Sequence, residues 1–208
     1  MRRRVTLPPL LIFKRKTLPK DVIPHGIYVH VHSKGWMDGE GMKLWLEKGW
    51  SKRTGGLLKK KSLLVCDQFK AHVTESTKWL ATKLKTHLAV IPGGLTQLQP
   101  LDVSVNKPFQ GFMHEEWAKW IEAPTHHIKL VGRVKRPLIS NVCEWVKNSW
   151  QRVKSEAIVK SLKKCGITNA LDGSEDDILY EESDISSENK HEDDFSGSDD
   201  DFLGFYDE

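Results

Sequence analysis

Two short apolar runs, each leading the chain toward a carboxylate, constrain this sequence more than any other feature. Leu63-Leu64-Val65-Cys66 runs straight into Asp67, while Leu88-Ala89-Val90-Ile91 reaches Pro92 and a Gly93-Gly94 turn, with Asp102 following ahead of a helical pattern. An unbroken apolar run bounded by turn residues predicts a strand buried on both faces, and the C-terminal ends of such strands open on the ligand-binding edge of an α/β sheet. Carboxylates at that edge can hold Mg²⁺, a hard cation that prefers oxygen ligands. Two-metal phosphoryl-transfer sites gather several acids around cations roughly 3.5–4 Å apart. By residue type alone, the same aspartates also read as helix caps or turn residues.

The words around the acids narrow the choice. Leu64-Val65-Cys66-Asp67-Gln68-Phe69-Lys70-Ala71-His72, together with Val90 through Phe109, resembles the DDE endonuclease domain of pogo-type transposases and the proteins derived from them. The resemblance extends upstream through Leu7-Pro8-Pro9-Leu10-Leu11-Ile12-Phe13-Lys14-Arg15-Lys16 and Gly35-Trp36-Met37-Asp38, covering roughly residues 5–165. It implies three metal-binding acids, of which Asp67 and Asp102 match the second and third. The first precedes the Leu-Pro-Pro segment in the family, but no acid occurs here before Asp21. The resemblance thus implies an RNase H-like mixed sheet with flanking helices, its opening strand missing or incomplete. It also implies that the family's N-terminal helix-turn-helix is lacking. Gly94-Leu95-Thr96-Gln97-Leu98 is one residue shorter than in many relatives, which would shift Asp102 relative to Asp67.

Charge places the domain boundary. Residues 1–165 carry 31 Lys+Arg against 12 Asp+Glu, a net charge of +19, whereas residues 166–208 carry sixteen acids and one lysine, a net charge of −15. We expect a domain over residues 1–166 and an acidic, disordered tail over 167–208, because the tail's composition cannot bury enough apolar surface to offset ordering entropy. A body this basic predicts a polyanionic partner, nucleic acid and specifically DNA, bound through counterion release. A tethered acidic tail can compete for the same surface, and it also offers a docking segment for proteins. Cys66, Cys143 and Cys165 lack metal or disulfide spacing and suit a reducing compartment. No stretch is apolar enough to span a bilayer, and none resembles a signal peptide.

Along the chain, strands are predicted at Leu10–Phe13 and Ile27–His32, the latter with His30 and His32 on one face. A helix runs from Asp38, its cap, through Trp50, with Met42, Trp45 and Leu46 inward. Thr74 caps a second helix carrying Trp79, Leu80 and Leu84 toward the core. Residues 108–121, 139–152 and 154–164 form three more helices, the last stopping at Gly166. The basic clusters Lys14-Arg15-Lys16, Lys52-Arg53 and Lys59-Lys60-Lys61 are the candidate phosphate contacts. With Arg2-Arg3-Arg4, the first also resembles a nuclear import signal.

The expected function is a transposase-derived nuclear DNA-binding protein with a degenerate, catalytically inactive DDE domain and vestigial Mg²⁺ binding at Asp67 and Asp102. Losing one metal carboxylate costs several kcal/mol of transition-state stabilisation. The alternatives are a protein-interaction module built on the core and tail, or a residual Mg²⁺-dependent endonuclease in which another acid, such as Asp21, substitutes.

Overall fold

The computed structural model describes residues 6–53, 61–123, 136–169 and 174. The tail beyond them, Arg2-Arg3-Arg4, Lys59 and Lys60 lie outside the described residues.

Pro8 and Pro9 have no N–H to give a sheet, so pairing begins after them. Strand β1, Leu10–Lys14, pairs in parallel with β2, Tyr28–His32, in the register Leu10↔Tyr28 to Lys14↔His32. The Tyr28 N–H donates to the Pro9 carbonyl at 2.9 Å and opens the ladder. A second parallel pair joins β3, Ser62–Asp67, to β4, Thr86–Ile91, in the register Ser62↔Thr86 to Asp67↔Ile91.

A single mixed sheet is the sequence expectation; the described strands instead form two separate parallel pairs. The reason lies in the connections. A hairpin reverses the chain, but both of these pairs are joined by long crossovers, Arg15–Ile27 in one and helix α2, Glu75–Lys83, in the other, which return it in the same direction. Nor are β3 and β4 buried on both faces. Leu64 is 8 % exposed while its neighbour Leu63 is 53 % exposed, and Val90 on β4 is also open.

The predicted helix from Asp38 to Trp50 is composite. Helix α1, Gly39–Leu44, passes into a π-helical turn, Trp45–Gly49, and then a 3₁₀ turn, Trp50–Lys52. Residues five apart lie about 140° apart around an α-helix. The wider π turn brings Trp45 and Trp50 onto one side, with ring centroids 5.7 Å apart. The core of this half is Met42, Leu46, Leu64, Leu80 and Leu84, with Met37, Trp45, Trp50 and Leu88 packed against it. Trp79, predicted to face inward on α2, is instead exposed, with the Lys83 ammonium 5.1 Å from its ring centre. Leu80 and Leu84 define the buried stripe, and Trp79 lies one step around from it with Lys83 one turn away.

The C-terminal half is helical. Helix α3, Asn106–Glu122, packs on α4, Ile139–Arg152, through a Trp117, Trp120 and Trp145 cluster with centroids 5.5–5.9 Å apart. Arg152 pairs with Glu115 at 2.7 Å and lies over the Phe112 ring. Helix α5, Ser155–Lys164, ends at Gly166 in the left-handed region. The Gly166 N–H donates to the Lys163 carbonyl at 2.8 Å and the Ile167 N–H to Leu162 at 3.0 Å, the paired bonds of a Schellman stop.

Two long-range contacts fasten the N-terminal segment to this half. The Trp150 indole N–H donates to the Leu7 carbonyl at 2.9 Å, and the Ile139 N–H donates to Asp21 Oδ2 at 3.2 Å. Asp21 therefore caps α4.

Asp38 holds the start of α1. Its Oδ1 accepts the Gly41 N–H at 2.8 Å and the His30 Nε2–H at 2.9 Å. A Cβ on Gly41 would lie 2.9 Å from the His30 ring, so this approach requires glycine. Burial alone would raise the Asp38 carboxyl, but the Gly41 N–H, the His30 hydrogen bond and the positive charge of His30 and His32 together hold it below its ordinary value. A depressed aspartate stabilises the fold fully above the unfolded carboxylate range, and the contribution is lost as pH falls through the lower folded value. Asp38→Ala is expected to cost about 1 kcal/mol in urea denaturation at pH 7. The gap from wild type should narrow as the pH is taken below about 4.

Candidate functional site

Asp67 is the last residue of β3, and the chain turns immediately after it. Its Oδ1 accepts the Phe69 N–H at 3.1 Å and the His72 Nδ1–H at 2.7 Å, the ring nitrogen being the donor because an ionised carboxylate only accepts. The carboxylate is 42 % exposed and His72 21 %. The side chain of the next residue, Gln68, accepts the Gly93 N–H at 3.2 Å through its Oε1, tying the exit of β3 to the turn after β4.

The C-terminal ends of the two sheets meet at an aromatic contact. Trp36, just past β2, stacks on Phe69, just past β3, with centroids 6.3 Å apart and planes inclined by 23°. Phe69 in turn presents against the edge of His72 at 5.6 Å. Sequence reasoning missed this contact because neither aromatic falls on a periodic stripe; the only available signal was that each follows a strand end by two to four residues.

Asp102 is exposed in a π-helical turn, Leu101–Val105, that leads into α3 and buries Val105. Its Oδ1 accepts from Asn106 Nδ2 at 2.6 Å. Asp67 and Asp102 share no hydrogen-bond partner among the described residues. No group of three or more His, Cys, Asp or Glu among them converges to hold a metal ion. The described donors therefore do not fit a two-metal centre. Asp21, the suggested substitute acid, has its carboxylate at the N-terminus of α4.

The basic clusters divide. Lys14 and Lys16 are exposed at the C-terminal end of β1, and Arg15 is half-buried with its N–H on the His32 carbonyl at 3.2 Å. Lys61 is exposed just before β3, and the Lys52 ammonium stands 5.4 Å from the Tyr28 ring centre. Arg53 has a different environment. Its Nε donates to Ser62 Oγ at 2.8 Å, Nη1 to the Trp50 carbonyl at 3.1 Å and Nη2 to the Leu84 carbonyl at 2.6 Å, with the guanidinium over the Trp50 ring. Burial lowers its pKa. The planar fork joins the helix end, β3 and the turn before β4.

The cysteines are poor nucleophiles. Burial raises the thiol pKa of Cys66, with Asp67 adding to the effect, and that of Cys165; burial together with Glu144 and Asp21 pushes Cys143 up to about 11.

Comparison with known families matches residues 3–162 to the DDE superfamily endonuclease domain. The chain belongs to that family. It is 37% identical over 176 residues to the human "Pogo transposable element with KRAB domain", and 35% identical over 176 residues to the mouse protein of that description. Each alignment covers 84% of this chain and 29% of the relative. A human "Pogo transposable element with ZNF domain" is 31% identical over 114 residues, 54% of this chain and 8% of the relative. The DDE domain here is thus related to pogo transposable elements, and the chain spans less than a third of the length of these relatives. No solved structure matches it. Members of the superfamily generally use a divalent metal such as Mg²⁺.

Arg53→Lys keeps the charge and removes the fork, leaving the Leu84 carbonyl with only the longer bond from the Thr86 hydroxyl at 3.2 Å. Denaturation should show a loss of about 1–3 kcal/mol. The folded variant should retain its DNA affinity, whereas a phosphate-contact role would predict equal stability and altered affinity.

Proposed function

We propose that residues 1–208 act as a transposase-derived DNA-binding module in the nucleus, without strand-cleaving activity. The observation that carries this reading is the charge of the body, +19 over residues 1–165, in a chain of the DDE family. Lys14, Arg15, Lys16, Lys52 and Lys61, with Lys59 and Lys60, supply the phosphate contacts. Arg53 contributes as a clamp behind them. Asp67 and Asp102 are the vestigial metal carboxylates and hold Mg²⁺ at most weakly. Each is engaged in its own local hydrogen bonds, Asp67 with Phe69 and His72 and Asp102 with Asn106, and this supports binding over catalysis.

The acidic tail, residues 167–208 at about one negative charge per three residues, is the brake. It competes with DNA for the basic face at the high effective concentration of a tether. It is also the segment through which protein partners would dock.

A titration of the chain with duplex DNA at 50 and 200 mM salt tests this reading. If about five phosphates are neutralised, affinity should fall several hundredfold across that range. A chain ending at residue 170 should bind more tightly than residues 1–208. Added Mg²⁺ should produce no cleavage. Soluble, folded protein that binds no DNA would move the function to protein docking. Mg²⁺-dependent cleavage abolished by Asp67→Ala would establish a surviving endonuclease.

A further inference from the structure

We infer that Trp36 and Phe69 form a stacking platform for an unpaired nucleobase beside Asp67. This inference rests on the DNA-binding reading above and specifies which form of nucleic acid the strand-end edge takes.

Trp36 is 65 % exposed although it is stacked on a neighbouring ring. The other tryptophan of comparable exposure, Trp79, has a lysine over its ring. Its backbone is fixed. His32 Nδ1 accepts the Lys34 N–H at 3.3 Å and the Trp36 N–H at 3.4 Å, and the intervening Gly35 takes a positive φ that a bulkier residue would resist. Phe69 is fixed from below by the Asp67 carboxylate on its N–H and by the edge of His72. The result is an aromatic pair at the meeting of two sheet ends whose tryptophan, stacked on one side, stays largely open to solvent.

The surroundings select the occupant. Gly35 lies against Lys14, a Cβ built on it falling 3.2 Å from the Lys14 Cβ, and Arg15 is bonded through its backbone to His32. Lys34 and Lys70 are exposed and flank the two rings in sequence. The acids two residues away in the chain each have partners, Asp38 in His30 and Gly41, Asp67 in His72 and Phe69. An exposed aromatic face with lysines close by in the chain suits a nucleobase whose phosphates could reach them, because every base offers a π-face and stacking tolerates any sequence. The faces of bases within a duplex are already occupied, so the platform takes a base from a single-stranded end or an unpaired site.

The test compares a blunt duplex with the same duplex carrying a short single-stranded overhang, using the full chain. The overhang should tighten binding by about tenfold, the scale of one base–aromatic stack. Trp36→Ala should abolish that gain and leave the blunt-duplex affinity unchanged, while Trp36→Phe should keep most of it. The overhang should also quench tryptophan fluorescence in the wild type more than in Trp36→Phe, a readout independent of whether the alanine variant folds. Equal binding of blunt and overhanging DNA, or equal losses on both with Trp36→Ala, would overturn the platform and leave the DNA-binding reading standing. Failure to bind either DNA would overturn both.

Discussion

The parallel pairing of β3 with β4 is the constraint on which the rest depends. A parallel pair cannot close by a tight turn, so the chain must leave β3, pass through a helix and come back. That crossover supplies Leu80 and Leu84, two of the five residues at the centre of the core. Its return is held by a set of polar contacts: Arg53 grips the Leu84 carbonyl and Ser62, and the Trp50 indole donates to Thr86 Oγ1 at 2.8 Å. Lys85 between them takes a left-handed φ of 53°, a conformation an L-residue adopts at a cost and keeps only when its neighbours fix it. With the register set, Asp67 falls at the mouth of the sheet, and Gln68 reaches across to Gly93.

Most of the elements were legible in the sequence because their signals are local. The caps at Asp38 and Thr74, the apolar run ending at Asp67, and the glycine stop at Gly166 each depend on a few adjacent residues. What was not legible depends on neighbours distant in sequence. Trp79 reads as core on hydropathy alone, and only the position of the buried stripe on α2 puts it outside. Arg53 reads as a phosphate contact beside Lys52 and a glycine pair, and the three carbonyl and hydroxyl acceptors from three segments that converge on it leave no local signal. The contact between Trp36 and Phe69 depends on how two separate sheets are set side by side.

The two halves meet different demands. In the sheet half, aliphatic side chains bury behind a strand edge whose open end is aromatic, acidic and basic at once. In the helical half, α3 and α4 are joined by tryptophan edges and faces, with Val105 at 1 % exposure under the turn that carries Asp102. Asp67 and Asp102 therefore stand on supports of different kinds. Asp67 terminates a paired strand; Asp102 is exposed at the start of a π turn, and its partner Asn106 is its own neighbour on the helix.

The contacts that fasten Leu7 to Trp150 and Asp21 to Ile139 span 143 and 118 residues. Contacts of such separation are the slowest to form, because a long loop must close before anything is gained. On a ribosome adding roughly 5–20 residues per second, the N-terminal strand would emerge and then wait on the order of ten seconds for α4. During that interval it has only its own sheet and the turn made soon after it, whose Lys48 carbonyl accepts from the Tyr28 hydroxyl. A half-made chain of this kind is open to chaperones while it waits, a demand that equilibrium stability does not register.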